Sequence, residues 1–340
     1  MNFLKKNHER RETCKPMLSK SKLIFLTVLL VSFISNSQNI YKSSIDAGGA
    51  SASAENIQVL YTIGEIHVQE LSSGNIQVSE GFVGPAFKII IDPKLYLQGP
   101  IVNPLIAGQM NDNLRSNGYL PILSPYSDGQ TCDASVFNIT GANAIVDWVW
   151  VELRAANDNT KIVNARSALL QRDGDVVDSD GVSNLTMTAA PTNYFVVVNH
   201  RNHLGAMSAS TIGLSETIAT VVDFRNNALA TFGSNARADM GSNNWALWAG
   251  DVNGNGQIRY LGPGNDTNSI KDAVLGDSGN TTSSNFYPYL DYDNADINMN
   301  GQIRYLGPGN DTNTLKDIIL SHPSNGSLSN FFPFVSQIPN

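Results

Sequence analysis

Two short segments of the chain carry the same alternation of oxygen-bearing side chains, 45 residues apart. They read DVNGNGQ over 251–257 and DINMNGQ over 296–302. In a loop of this type, the side chains at positions 1, 3 and 5 point inward, the glycine at position 6 allows a sharp turn, and position 7 offers a backbone carbonyl. Calcium is a hard cation that takes six to eight oxygen ligands, so this spacing predicts a calcium loop in each segment. The ligands predicted at these positions are Asp251, Asn253, Asn255, Gln257, Asp296, Asn298, Asn300 and Gln302.

The end of each loop departs from the usual twelve-residue form, because position 12 is a glycine in both copies. The next carboxylates are Asp266 and Asp311, at position 16. We expect the four extra residues within RYLGPG to bulge outward and to leave these two aspartates as the closing ligands, with Asn265 and Asn310 as the alternatives. Each site then has two carboxylates, which predicts a modest affinity, near the ~10⁻⁴–10⁻³ M of extracellular modules.

A simpler interpretation is that DVNGNG and DINMNG are ordinary turns rich in Asn and Gly. One copy alone would leave the two interpretations balanced. The second copy, followed by matching downstream sequence, favours calcium.

Two other groups of side chains could do chemistry. Four carboxylates fall within eight residues and would repel one another without a cation, so they indicate either a third calcium site or an exposed acidic turn. These residues are Asp173, Asp175, Asp178 and Asp180. His200 and His203 could bind zinc, but no HExxH pattern accompanies them, which favours a surface or packed pair.

Trp148 and Trp150 alternate with valines on one predicted strand, so both indoles face the same side. They could form a platform for sugar rings, but we favour a place in the core, with the valines facing outward or partly covered. No G-x-S-x-G motif, P-loop or cysteine–histidine pairing indicates catalysis. The expectation is a protein that is not an enzyme, although the abundant acid pairs leave a glycosidase as an alternative.

The elements that must position the calcium loops form an internal repeat. Residues 256–268 and 301–313 are identical over thirteen positions (GQIRYLGPGNDTN), and the amphipathic segments SIKDAVL and TLKDIIL follow them. Each of these segments is long enough for about two helical turns. Residues 250–320 are therefore predicted to be a small α-helical module in which a loop and a helix occur twice.

Two loop–helix units without a leading helix resemble the dockerin module, which is a tandem calcium-loop repeat. The resemblance implies calcium binding and, in cellulosome systems, docking to a cohesin through the helices. The insertion and the pairs Arg259-Tyr260 and Arg304-Tyr305 depart from that pattern. Calcium binding is therefore carried over as an expectation, and cohesin binding is not.

Residues 93–249 alternate in the β manner, with frequent turn signals and no long helical period. The predicted fold class is mainly β: a sandwich of the Ig-like or jelly-roll type, followed by the helical module. The strand candidates are 94–98, 135–140, 145–154, 161–171, 185–188, 194–200 and 217–224. We expect 109–126 to be a long loop, and Trp245 and Trp248 to pack the module against the sandwich.

Residues 44–86 form a glycine-rich β leader, for which the alternation predicts two to four short strands. Its sequence, from IDAGG through YTIGE to GFVGP, resembles the leader of many proteins secreted by Bacteroidetes. The later blocks QMNDNLRSNGYLPILSPY, AIVDWVWVELR, ARSALLQRDGDVVDSDGVS and YFVVVNHRNHLG resemble the same proteins. The resemblance covers nearly all of the mature chain and implies an architecture rather than an activity.

Residues 1–37 have the layout of a secretory signal peptide: two lysines, the apolar run LIFLTVLLVSFI and serines at the −3 and −1 positions. The apolar run is short for a membrane span, and an uncleaved anchor or a buried helix is the alternative. Met17 is a plausible true start. We expect no transmembrane segment after cleavage and a secreted or cell-surface protein, with the periplasm as an alternative. Residues 321–340 are assigned to a C-terminal tail.

The composition narrows the class of protein further. The chain has 340 residues, of which 41% are hydrophobic and 15% charged, so it can bury a core. Signal cleavage would leave fifteen Lys and Arg against 28 Asp and Glu, a net charge of −13, which argues against a nucleic-acid partner. It would also leave Cys132 as the single cysteine, with no internal disulfide.

Together these patterns predict a secreted, non-catalytic, calcium-binding surface or assembly protein, linked to polysaccharide utilisation. Its partners would be a protein bound by the dockerin-like module or a polysaccharide bound by the sandwich. The alternative is a carbohydrate-binding protein or haemagglutinin-like adhesin, and a polysaccharide-active enzyme is less favoured.

Overall fold

The computed structural model describes residues 48–54, 57–63, 69–73, 76–80 and 87–339. Contacts divide the chain into two units, Met1–Pro85 and Ala86–Asn340. The predicted signal peptide lies outside the described residues.

The first unit contains two antiparallel hairpins. Strand β1 (Gly48–Ala54) pairs with β2 (Ile57–Ile63), and β3 (Gln69–Ser73) pairs with β4 (Ile76–Glu80). The alternation in this region therefore predicted its strands correctly. Three other apolar positions of the predicted pattern, Ile66, Val68 and Phe82, lie outside the described residues.

The second unit contains thirteen further strands, four α-helices and two 3-10 helices among the described residues. The strands are β5 (Ile89–Lys94), β6 (Ile145–Ala155), β7 (Asp158–Gln171), β8 (Val176–Val177), β9 (Leu185–Met187), β10 (Asn193–His200), β11 (His203–Met207), β12 (Ile212–Gly213), β13 (Thr220–Asp223), β14 (Ala238–Asp239), β15 (Trp245–Ala246), β16 (Gln257–Ile258) and β17 (Phe334–Val335). The helices are α1 (Gln98–Ile101), α2 (Asn113–Ser116), α3 (Asp266–Gly276) and α4 (Asp311–Ser321), with 3-10 helices at Ala134–Asn138 and Gly141–Asn143.

The largest sheet has the order β11-β10-β6-β7-β8, with β12 also paired to β10, and every pair in it is antiparallel. A smaller sheet has the order β13-β5-β9, in which β13 and β5 are parallel. One apolar cluster contains side chains of both sheets, including Ile91, Trp148 and Leu185. The prediction of a mainly β fold is confirmed.

Strand β6 is covered on both faces. Trp148, Val149 and Val151 are all 0% exposed, so the expectation that the valines face outward or are partly covered is wrong. Trp148 donates from its indole nitrogen to the carbonyl of Pro121 (2.9 Å). A fully buried Trp148 offers no face to a sugar ring.

Two of the predicted strands are wrong. At 94–98 the strand has already ended at Lys94, and the chain turns into α1. At 135–140 the chain forms a 3-10 helix, because the Asp133 carboxylate accepts the Ser135 N–H (2.8 Å) and caps the turn. Segment 109–126 is largely loop, as expected, apart from the single turn of α2.

A second apolar cluster lies under the repeats. It contains Ile258 and Ile303 from the loops, Ile270 and Leu315 from the helices, and Trp248. The two predicted helices are present as α3 and α4. Of the two tryptophans predicted to pack the module, Trp248 belongs to this cluster and Trp245 does not. Within the residues that the structure describes, no helix combines the length and apolar character needed to cross a membrane.

Candidate metal centre

The two loops repeat the same hydrogen bonds at their first ligand position. The carboxylate of Asp251 accepts the N–H groups of Asn255 and Gly256, both at 3.0 Å. The carboxylate of Asp296 accepts the N–H of Asn300 at 3.0 Å and that of the glycine after it at 2.7 Å. Both glycines have a positive φ (75° and 82°), which glycine adopts without strain, so the chain can fold back over the carboxylate.

The amide side chains at positions 3 and 5 also point into the loop. Asn253 Oδ1 accepts the Asn255 N–H (3.1 Å), and Asn255 Oδ1 accepts the Gln257 N–H (2.8 Å). Asn298 and Asn300 make the equivalent bonds in the second loop, at 3.1 and 2.8 Å. Each amide oxygen has two lone pairs and uses one here, so one remains for a cation.

The carboxylate at position 16 lies inside each loop, at the place where the sequence predicts the closing ligand. Asp266 accepts the N–H groups of Val252 and Arg259, both at 2.9 Å, so it lies against the start of its own loop. Asp311 does the same with Ile297 (3.0 Å) and Arg304 (2.9 Å). The position-16 carboxylate therefore reaches the start of the loop past the residues that lie between position 9 and the helix.

The two alternative closing residues have another role. Asn265 Oδ1 accepts the Asn268 N–H (2.8 Å), and Asn310 Oδ1 accepts the Asn313 N–H (2.7 Å). These are N-cap bonds, which satisfy a free amide at the start of a helix. They fix α3 and α4 so that the first helical residue, an aspartate, enters the loop.

All four loop carboxylates are buried. Asp266, Asp296 and Asp311 are 0% exposed and Asp251 is 8% exposed. Burial raises the pKa of Asp251, although backbone N–H groups oppose the shift. Burial, with the nearby charge of Asp251, raises the pKa of Asp266 to about 7.

The second loop follows the same pattern. Burial raises the pKa of Asp296 to about 6, and burial with the Asp296 charge raises the pKa of Asp311 well above its usual range. Two buried carboxylates in each loop therefore oppose each other's ionisation.

Among residues 87–339, no Lys, Arg or His nitrogen lies within 4.0 Å of these carboxylates. The more distant charge of Arg201 opposes the rise in the pKa of Asp296 but does not cancel it. Within the same residues, no three His, Cys, Asp or Glu side chains form a metal-binding group. Each loop instead combines two carboxylates with amide and carbonyl oxygens. This donor set suits a hard cation such as calcium better than zinc, which prefers nitrogen and sulfur ligands.

The arginine after each loop is engaged within its own repeat. Arg259 Nε donates to the side-chain oxygen of Gln257 (3.1 Å), and Arg304 makes the equivalent bond to Gln302. The Gln side chains are thus held by arginine, which leaves the position-7 backbone carbonyl as the predicted ligand.

The four aspartates of the predicted third site have separate partners. Asp175 pairs with Lys94 (2.6 Å), and Asp178 accepts two bonds from Arg166 (2.7 and 3.0 Å). Asp180 accepts the Ser183 N–H (2.8 Å), and burial raises the pKa of Asp173. Protein cations therefore pair with two of the four carboxylates, Asp175 and Asp178, and the four side chains do not converge on one point through shared partners.

His200 and His203 belong to a buried polar cluster centred on Asp147. One oxygen of Asp147 contacts His200 Nε2 (3.1 Å) and Arg201 Nε (3.0 Å), and the other accepts the Tyr292 hydroxyl (2.6 Å). Burial alone would raise the pKa of Asp147, but Arg201 and these hydrogen bonds hold it at about 2. Burial lowers the pKa of both histidines, so the packed pair is neutral.

The hydrogen bonds assign one tautomer to each ring. His203 Nε2 accepts the Gly99 N–H (3.2 Å), so its proton is on Nδ1, which faces His200 Nδ1 (3.0 Å) and the oxygen of Asn202 (2.8 Å). His200 then carries its proton on Nε2 and donates it to Asp147. A second proton on either ring would break a bond in this chain.

The turn between β10 and β11 also contacts both repeated loops. The Asn202 carbonyl accepts the N–H groups of Gly250 (2.9 Å) and Asp251 (3.2 Å). Its side-chain amide donates to the carbonyls of Asn294 and Asp296, both at 2.9 Å. Sequence reasoning missed Asn202, Asp147 and Tyr292, because their partners are distant in the chain.

The repeat also extends beyond residue 320. Segments 284–290 (SNFYPYL) and 329–335 (SNFFPFV) are again 45 residues apart. The turn before each has the same bonds: Ser284 N–H donates to the Asn280 side chain (2.8 Å), and Ser329 N–H donates to Asn325 (2.9 Å). This part of the repeat was visible in the sequence as SNF-x-P and was missed.

Each of these segments pairs with the loop of the other repeat. Strand β17, after α4, pairs with β16 in the first loop. Tyr289, after α3, exchanges two hydrogen bonds with Ile303 in the second loop (3.1 and 2.8 Å). The two repeats are therefore interlocked, and neither loop is completed by its own repeat alone.

No protein-family model, curated protein or solved structure matches this chain. The resemblance to secreted proteins of Bacteroidetes and to the dockerin module therefore stays a prediction. Function is inferred below from the geometry of the two loops.

Proposed function

We propose that the repeat pair binds two calcium ions, one in each loop, and that the chain is a secreted, non-catalytic surface or assembly protein. One observation carries the proposal: each loop buries two carboxylates that have no Lys, Arg or His nitrogen within 4.0 Å among the described residues, and it surrounds them with amide oxygens. Buried charges of this kind are stable only when they are paired or coordinate a metal.

The first loop offers five protein ligands to an ion: the carboxylates of Asp251 and Asp266, the amide oxygens of Asn253 and Asn255, and the carbonyl of Gln257. A bidentate carboxylate or a water would complete the six to eight oxygens that calcium takes. Magnesium needs a stricter octahedron and keeps several waters, so it fits this set less well.

The role proposed for calcium is structural. Residues 87–249 would form an Ig-like or jelly-roll sandwich, and the loops with α3 and α4 would form a dockerin-like module attached to it. A module with two helices has little core of its own, so an ion that neutralises each buried pair of carboxylates would contribute to its folding. The module would then present its helices to a protein partner outside the cell.

Calcium titration of the whole chain by calorimetry tests the proposal. We expect two equivalents of calcium to bind and magnesium to bind more weakly. Asp251→Asn and Asp296→Asn should each remove one equivalent, because each deletes the carboxylate at position 1. At a calcium concentration tenfold above Kd, each site should stabilise the fold by about 1.4 kcal/mol, seen as a higher Tm in calcium than in chelator.

Asp272→Asn and Asp317→Asn are the matched controls, since they remove the same charge from exposed positions of α3 and α4. Both should keep two calcium ions. An absence of binding heat, together with equal Tm values in calcium and chelator, would contradict the proposal.

A further inference from the structure

We propose that Asn202 is a positioning residue that couples the two calcium loops, so that calcium bound in one loop raises the affinity of the other. This inference rests on the calcium function proposed above, and it adds a residue that lies outside both repeats. Asn202 is in the turn between β10 and β11 and is 0% exposed.

Asn202 contacts the residue that begins each loop. Its backbone carbonyl accepts the N–H of Asp251, and its side-chain amide donates to the carbonyl of Asp296. The residues just before the loops are held as well, through Gly250 and Asn294. The backbone of both first ligands is therefore fixed by one buried residue.

The side chain of Asn202 is itself held in place. Its oxygen lies 2.8 Å from His203 Nδ1, and the neighbouring Arg201 bonds Asp147 on β6. Rotation of the Asn202 amide would break the bond to His203. A displacement at the start of one loop is therefore transmitted to the other loop rather than absorbed by the Asn202 side chain.

The two loops are also linked away from Asn202, and these contacts favour coupling of the same sign. The first loop pairs with β17 of the second repeat, and Ile303 of the second loop pairs with Tyr289, which follows the first helix. An ion that orders one loop thus removes part of the ordering cost of the other, which is positive coupling. Couplings of this type are typically 5–150-fold in affinity.

The first experiment measures coupling in the whole chain, with calcium alone as the probe. Asp296→Asn leaves only the first site, and Asp251→Asn leaves only the second. We expect each remaining site to bind about tenfold more weakly than in the unmodified chain, and by about the same factor, because coupling is reciprocal. Unchanged affinities at the remaining sites would overturn the coupling and leave the calcium function intact, whereas no binding by the unmodified chain would overturn the calcium function itself.

The second experiment asks whether Asn202 carries the coupling. In Asn202→Ala, which removes the side-chain bonds to the second loop, both ions should still bind but the coupling factor should fall from about tenfold to less than about twofold. Asn202→Ser removes the same amide donor with a smaller change in side-chain size, and it replaces the alanine variant in the experiment if that variant does not fold.

Asn199→Ala is the matched control, because the Asn199 amide donates to Glu152 (3.1 Å), next to the same turn. It should keep the tenfold factor. A purely structural role for Asn202 would lower Tm and both affinities without changing their coupling, so a coupling factor that stays near tenfold in either Asn202 variant would overturn the proposal.

Discussion

The two repeats share thirteen consecutive residues, and their loops make the same hydrogen bonds, yet the two loops occupy different surroundings. In the first loop the residue at position 4 is Gly254, which is exposed and has no atom within 4 Å of the place where a Cβ would be. In the second loop it is Met299, which is 1% exposed and belongs to the apolar core of the β-sheets. The second loop is thus attached to the main core by its own tip.

The second loop is also covered from outside the repeats. Asn117 Nδ2 reaches the carbonyl of Asn300 (3.4 Å), and a Cβ on Gly301 would lie 2.9 Å from the ring of Tyr119. The corresponding Gly256 has only Ser336 within the same range, at 4.0 Å. Local sequence therefore sets the shape of a calcium loop, while its tertiary contacts set how much of the fold depends on it.

The largest difference between the loops should appear when the carboxylate at position 1 is removed. In saturating calcium, Asp296→Ala should lower the free energy of unfolding by about 3–5 kcal/mol, because it removes a fully buried carboxylate from a loop that is joined to the core. Asp251→Ala should cost roughly 1–2 kcal/mol, mainly the calcium contribution. Urea unfolding measures both, and equal losses would remove the distinction between the loops.

Position 4 provides a more specific comparison. Met299→Gly should lower the free energy of unfolding by roughly 2–4 kcal/mol. Loss of a buried Met side chain costs about 2–5 kcal/mol, and relief of the strain of its positive φ (55°) offsets part of that loss. Gly254→Met should cost only about 1–2 kcal/mol, the strain of a left-handed residue in open space. A greater loss from Gly254→Met than from Met299→Gly would contradict the assignment of Met299 as the anchor.

Acid should destabilise the fold through the buried histidine pair. Burial lowers the pKa of His200 and His203 in the folded state, so the unfolded chain binds these protons first as the pH falls below about 6.5. The contribution of the histidine pair to stability is therefore fully present above pH 6.5 and is lost below it, by up to about 1.4 kcal/mol per pH unit for each ring. Tyr292 and Arg201 connect this cluster to the segment that leads into the second loop.

The pH dependence can be measured by urea unfolding between pH 7.5 and 5.5 in saturating calcium. His203→Gln lacks one titrating ring and should show a shallower decline than the unmodified chain. Identical slopes would show that the histidine pair does not contribute to the acid sensitivity.

The smallest expected effect concerns the cover of the second loop. In an Asp251→Asn background, where only the second loop can bind calcium, Asn117→Ala should speed calcium release by roughly 2–10-fold, the value of one hydrogen bond of about 0.5–1.5 kcal/mol. Stopped-flow release into chelator measures this rate. Asn111→Ala, in the same segment but bonded to Asn103 and Leu105, is the control and should leave the rate unchanged.

Sequence reasoning located the two repeated loops and the helices that follow them, because their information is local. The spacing of Asp251, Asn253 and Asn255 is repeated within seven residues, and continuing to the next carboxylate located Asp266 despite the insertion. The helices followed from their apolar periodicity. The long strands β6, β7 and β10 were found for the same reason, since alternation is a property of neighbouring residues.

The parts that were missed depend on distant partners. Asn202 is one asparagine among many until the fold brings residues 250 and 294 to it. Met299 stands where the first loop has Gly254, and its burial in another region leaves no trace in a seven-residue pattern. The false strand at 135–140 shows the reverse case, in which a local cap by Asp133 overrode β-forming side chains.

The interlocking of the repeats sets an order of events during synthesis. Tyr289, which pairs with the second loop, is synthesised before that loop. Strand β17, which pairs with the first loop, is synthesised more than one full repeat after that loop, so the first loop must wait for its partner strand. At 5–20 residues per second, this wait is on the order of 4–15 s. The second loop can therefore assemble first on the nascent chain, and the first loop remains open until the second repeat has emerged.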